Sequence, residues 1–228
     1  MESQIGSYAD VYQRSYKPIN SLADKAYCIL EKMIVTLELP PGSIIYEADL
    51  SRQINIGRTP LREALHRLAK ERLVSVLPRR GMIVSEVNIL DQLELVEMRR
   101  VVDRLLASKA ATRATPKQRQ RLKEIAILIK EAASEGNVQE FMHLDGDFDQ
   151  ILGLASRNFF AAQISETLHA HCRRFWYINQ GSGDLVWSAE LHAAMINAVA
   201  EGDEAEAVAA SDRLSDYVED FTRSALNF

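Results

Sequence analysis

The stretch from Ile56 to Leu68 most constrains what this chain can become. Leu61, Ala64, Leu65 and Leu68 recur at helical spacing on one face, while Arg58, Arg62 and His66 fall on another. Thr59 followed by Pro60 suits a helix start, because a proline in the first turn has no N–H to leave unpaired. Such a helix can pack on its own domain with one face and offer cations to phosphates and guanines with the other. Alone, it also reads as a surface helix with solvated arginines. The flanks decide. Tyr46 to Ile54 forms a second short helix joined through Asn55, Ile56 and Gly57, which is helix-turn-helix spacing. Downstream, Leu73–Leu77 and Met82–Val84 are two short β-type runs joined by Pro78, Arg79, Arg80 and Gly81. A hairpin after a recognition helix is a wing, whose arginines reach the DNA backbone or minor groove.

This order of residues resembles the GntR family of bacterial winged-helix regulators, in its FadR-like branch. The family's marks stand here as Pro41-Gly42, Glu47 to Leu50, Gly57 through Leu68, and Arg80-Gly81, over roughly residues 20–87. Gly57 departs from the usual serine and removes a hydroxyl that would cap the helix or touch a phosphate; glycine is still a tolerable N-cap. The resemblance implies DNA contacts by Arg58, Thr59 and Arg62 on the helix and by Arg80 and Gly81 on the wing. Arg79 joins them by its neighbourhood. Arg52 suits either a phosphate contact or a solvated helix end, and His66 suits the helix surface.

Charge distribution agrees with a DNA-binding head. The net charge is −5, but residues 1–80 carry 12 Lys+Arg against 9 Asp+Glu, and residues 81–228 carry 15 against 23. A basic head on an acidic body fits nucleic-acid binding at one end. At 228 residues and 47% hydrophobic content the chain has room for two modest domains. Cys28 and Cys172 lie far apart and are expected to be reduced and packed, as in a cytoplasmic protein. No signal peptide or membrane span is visible. Residues 1–19 are polar and read as a mobile arm.

From residue 88 to 228 the periodicity predicts an all-α bundle of about six helices, giving a mainly α protein with an N-terminal winged helix-turn-helix. The helices run from about Asn88 to Thr112, Thr115 to Gly136, Asn137 to Ser156, Asn158 to Ile178, Leu185 to Gly202 and Asp203 to Leu226. Asn137 with Glu140 resembles a capping box. This region resembles the FCD effector-binding domain of the same family in three places: Arg99 to Asp103, Asp145 through Leu152, and His192 through Asp203.

Many FCD domains hold a divalent metal with one Asp and three His. The resemblance places that set at Asp145, Asp149, His192 and Leu214. Only Asp145 and His192 keep the family residue; Asp149 replaces an imidazole and Leu214 cannot ligate. A Zn, Mn or Ni ion on Asp145, Asp149 and His192 is one expectation; these groups hydrogen-bonding the effector or each other is the other. His169 and His171, on the neighbouring helix, are alternative donors or surface residues. Arg99, Arg173 and Arg174 lie on bundle helices, and an inward-facing arginine needs an anionic partner. A carboxylate ligand meets that need, which puts Arg99, Asp145, Asp149, His192 and Arg173 in the expected effector site. Phe175, Trp176, Tyr177 and Trp187 suit its apolar wall, the core or a dimer interface.

The leading expectation is a transcriptional regulator, a repressor by family habit. It binds a palindromic double-stranded operator as a homodimer and responds to a small organic acid. A metal-dependent enzyme using Asp145, Asp149 and His192 is the rival, but no nucleophile elbow, phosphate loop or zinc-protease motif is present. A ligand-free DNA-architectural protein is the third.

Overall fold

The structure, a computed structural model, describes residues 21–77, 81–182 and 184–225. The expected arm at 1–19 and the wing tip with Arg79 and Arg80 lie outside them. Two compact units emerge: residues 21–88 with Ala170–Ile178, and residues 89–169 with 179–225.

In the first unit, α1 (Leu22–Val35) opens on Ser21, whose hydroxyl accepts the Asp24 amide at 3.0 Å. Helix α2 (Glu47–Gln53) and α3 (Arg58–Lys70) make the helix-turn-helix. Their turn is set by Asn55, in left-handed backbone at φ 52°, and by the Ser51 hydroxyl donating to the Ile56 carbonyl at 2.6 Å. The apolar stripe of α3 is buried as its spacing requires: Leu61, Leu65 and Leu68 are fully enclosed with Leu30, Ile34 and Leu73. Leu65→Ala is expected to cost about 2–5 kcal/mol by leaving a cavity there, read as a lowered unfolding midpoint in calorimetry.

The sheet corrects the two-strand expectation. A third strand, β1 (Ile44–Ile45), pairs antiparallel with β3 (Gly81–Val84), which also pairs with β2 (Val74–Leu77), in the order β1-β3-β2. Two residues are too few to show alternation, so β1 left no periodic trace. It exists because Gly42, at φ +75°, turns the chain and donates its amide to the Val84 carbonyl at 2.9 Å.

The second unit is built from α4 (Ile89–Arg113), α5 (Pro116–Ser134), α6 (Val138–Ser156), the first half of α7 (Phe159–Asn179), α8 (Leu185–Glu201) and α9 (Glu204–Ser224). The starts obey the capping residues. Thr115 and Gln118 form a reciprocal capping box, and Asn137, Asn158, Asp184 and Asp203 each accept an amide three residues on. A short 3-10 turn at Gln180–Ser182 occupies part of the expected loop. The core joins Leu106, Leu122, Ile125, Phe148, Ile196, Val199 and Leu214. Arg119 ties the helix ends together, donating to the carbonyls of Ala111, Ala114, Val199 and Ala200.

Cys172 is buried, as expected. Cys28 is exposed, correcting the packed reading; α1 buries Ala26, Tyr27 and Leu30 instead. Among the described residues no helix is long and apolar enough to cross a membrane.

Candidate DNA-binding face and buried polar cluster

On α3 the opposite side to the apolar stripe carries Arg58, Thr59, Arg62 and His66, all exposed. Gly57 supplies no side-chain cap, and helix α3 begins on Arg58, with Pro60 in its first turn. The Arg62 guanidinium is held by Glu47 of α2, with Nη2 at 2.8 Å and Nε at 3.1 Å from one carboxylate oxygen. That hydrogen bond, then the Glu47 charge, raises the Arg62 pKa further, so the side chain is a permanent cation. Glu47 thus orients the arginine, a role the motif spacing did not reveal. Arg52 pairs with Asp49 one turn back and stays 80% exposed, available to a phosphate. Arg67 is structural: it lies 3.6 Å from the centre of the Tyr27 ring and pairs with Asp24 and Glu71. Gly81 opens β3 at φ +91°, a conformation that favours glycine.

Arg173 does not join the effector set. It belongs to the Ala170–Ile178 segment, which clusters with the head, and its guanidinium lies 3.5 Å from Glu31. The same segment sets His171 Nε2 at 2.8 Å from the Glu71 carbonyl. Arg174 donates to the Ser85 carbonyl at 2.6 Å, and burial pushes its pKa down to about 10. Phe175 is core, whereas Trp187 is 53% exposed.

Within the helical unit, three helices deliver charged groups to one buried cluster. Arg99 and Asp103 share a face of α4 at i, i+4, and the Arg99 Nε donates to Asp103 Oδ2 at 2.9 Å. The other oxygen, Asp103 Oδ1, lies 2.7 Å from His169 Nε2 on α7. The second ring nitrogen, Nδ1, stands 2.8 Å from Asp149 Oδ2 on α6. His169 is 2% exposed. Burial pushes its pKa down, but the Asp103 and Asp149 charges outweigh burial and lift it to about 10. Burial likewise pushes the Asp103 carboxyl up, and the His169 and Arg99 charges overcome this and hold it at about 2. The ring is hydrogen-bonded to Asp103 through Nε2, while Nδ1 stands close to Asp149 without making a hydrogen bond to it.

One helical turn from Asp149, Asp145 faces a different partner. Its Oδ1 is 3.1 Å from His192 Nε2 on α8. His192 Nδ1 lies 2.7 Å from the Ser188 carbonyl. A carbonyl only accepts, so Nδ1 carries the proton and Nε2 is turned toward Asp145. Phe141 packs edge-on against the His192 ring.

Asp145 and His192 therefore meet, and Asp149 does not complete them. Among the described residues no three His, Cys, Asp or Glu side chains converge as metal donors. Leu214 sits 3% exposed in the apolar core. The residues present do not fit the expected three-donor ion, because the carboxylate at 149 is engaged by His169.

A winged helix with an arginine-bearing recognition helix, in one chain with a six-helix bundle enclosing a charged cluster, defines a DNA-binding transcriptional regulator rather than an enzyme. The profile of bacterial regulatory proteins of the gntR family matches residues 22–84, and that of the FCD domain matches residues 94–216. The chain belongs to the GntR family, in the branch that carries an FCD domain. It is 26% identical over 162 residues to the HTH-type transcriptional repressor RspR of Escherichia coli K12, covering 71% of each chain. It is 27% identical over 176 residues to the Nta operon transcriptional regulator of Aminobacter aminovorans, covering 77% of this chain and 83% of that one. The fold is similar to that of E. coli McbR/YncC, with a TM-score of 0.77 at 19% identity over 90% of this chain and 99% of that one.

Proposed function

We propose that this regulator binds a two-fold-symmetric operator as a homodimer, represses from it, and responds to a small organic acid held by the FCD unit. The observation that carries the DNA-binding part is the exposed Arg58, Thr59 and Arg62 row, set by a buried leucine stripe, with Arg62 oriented by Glu47. One winged helix reads few base pairs, so a symmetric pair is needed for a specific site. The repressor name of the E. coli relative supports the sign of regulation. For the effector, the supporting observation is the pair of buried cations. A ligand carboxylate would compete with Asp103 and Asp149 for Arg99 and His169, and exchange of those ion pairs would favour one arrangement of α4, α6 and α7 over another.

The test begins with selection of bound duplexes from a random pool. A palindromic consensus bound by two chains supports the reading; a single half-site bound by one chain sinks the dimer. Organic acids are then screened by thermal shift and added to the selected complex. An acid that raises the melting temperature and releases the DNA is expected from the wild type, with a weaker release from His192→Ala at unchanged DNA affinity. If no acid alters the complex, the effector class is wrong.

A further inference from the structure

We infer that the outward face of α4 is where this chain self-associates, two copies pairing there as antiparallel helices about a two-fold axis beside Val101. This deepens the homodimer reading above and rests on it, naming the surface of the FCD unit that the second copy covers.

Helix α4 buries Val96, Val102, Leu106, Ala107 and Ala110 on its inward side. A helix on the outside of a bundle ordinarily turns polar residues to the solvent. Here Leu90, Met98, Val101 and Leu105 stand exposed instead, at 64%, 46%, 64% and 40%. Met98, Val101 and Leu105 recur at i, i+3 and i+7, so they share one face over about two turns. Leu90 and Glu94 continue that face toward the N-terminus at spacings of four. Single exposed apolar residues need no explanation, but a contiguous row does. A helix that is apolar on two sides is one that is covered on two sides.

Charge decides what covers it, and in which direction. Glu94 and Glu97 border the N-terminal part of the row; both are exposed, and neither makes an ion pair among the described residues. Arg104 and Lys109 border the C-terminal part, with side chains still 50% and 37% exposed beside Asp212 and Glu204 of α9. Parallel pairing of two such helices would set Glu94 on Glu94 and Lys109 on Lys109, which like charges oppose. Antiparallel pairing reverses the order. With the axis just beyond Val101, Met98 meets the partner's Leu105 and Glu94 meets the partner's Lys109. Glu97 then lies within a helical turn of the partner's Arg104. Symmetry makes each contact twice, and Val101 packs on its own copy. The apolar row is thus closed between two charge-matched ends, an apolar centre with a polar rim.

Sedimentation of the full-length protein, free and on the selected duplex, reads the association. Wild type is expected to be a dimer. Val101→Glu places two carboxylates at the axis and is expected to raise the dimer Kd by at least about 100-fold. Helical circular dichroism should be unchanged, because the side chain it replaces is exposed. Glu94→Lys and Lys109→Glu each set like charges together and are expected to weaken the dimer about tenfold, while the double variant returns to within about threefold of wild type. A dimer that Val101→Glu leaves intact overturns the inference and spares the homodimer reading. A wild type that is monomeric both free and on the duplex overturns both. Should Val101→Glu not fold, the charge exchange decides. Rescue in the double variant supports antiparallel pairing of α4; single variants without effect, or additive weakening, overturn it.

Discussion

Arg62→Ala is expected to weaken operator binding by at least about 30-fold while leaving the unfolding midpoint of the protein where it was. A bidentate arginine–guanine pair is worth about 1–3 kcal/mol, and the proposed symmetric dimer would lose two of them. The fold should tolerate the change because the Arg62 side chain is 61% exposed and its partner Glu47 is itself partly exposed. The loss should be steepest for the preferred sequence and small for random duplex, since base readout is removed and most phosphate contacts remain. Fluorescence anisotropy on the selected operator and on a scrambled duplex measures both. An equal loss on the two duplexes would reassign Arg62 to the backbone, and no loss would remove it from the interface.

Asp103→Asn should give the largest stability loss in the helical unit, about 3–5 kcal/mol, because it leaves Arg99 and His169 buried against an uncharged neighbour. The pH dependence should change with it. Asp103 has a depressed pKa in the folded state, so its contribution is complete above the unfolded value of 3.8 and lost as pH falls through about 2. The His169 pKa is raised, so its contribution is complete below the unfolded value of 6.5 and lost as pH rises through about 10. The pair therefore supports the fold most fully between about pH 4 and 6.5, with stability declining from neutral pH toward 10. In Asp103→Asn the alkaline decline should flatten, as His169 loses the charge that most raises its pKa. Chemical denaturation at pH 6, 8 and 9.5 reads this, and an unaltered slope in the variant would show that His169 does not depend on Asp103.

Much of this was legible before any coordinates. The leucines of α3 recur at 61, 65 and 68 because a helix buries one stripe, so the cationic face followed from the same spacing. Five of the bundle helices were readable because each starts at a residue whose side chain caps a backbone amide. The exposure of Arg58, Arg62 and His66 also followed from period alone, whereas Thr59 entered through the family resemblance. Strand β1 was missed because its two residues are held by Gly42 and by β3, almost forty residues away. Arg173 was misplaced for a related reason: helical period says that a side chain shares a face with its neighbours three and four away, not which domain that face meets.

The buried cluster marks the boundary most clearly. The sequence by itself determined that Arg99 and Asp103 share a face, that Asp145 and Asp149 share another, and that His192 stands on a third helix, because i, i+4 spacing is a local property of the backbone. Only the tertiary structure decided which of these faces meet. Asp145 and Asp149 lie one turn apart, yet one faces α8 and the other α7, and a histidine 66 residues beyond Asp103 closes the network. Helix packing brings the charges together, and once they are enclosed the strength of their attraction grows with the exclusion of water. That is a property of the assembled bundle, which no single helix carries in its own sequence.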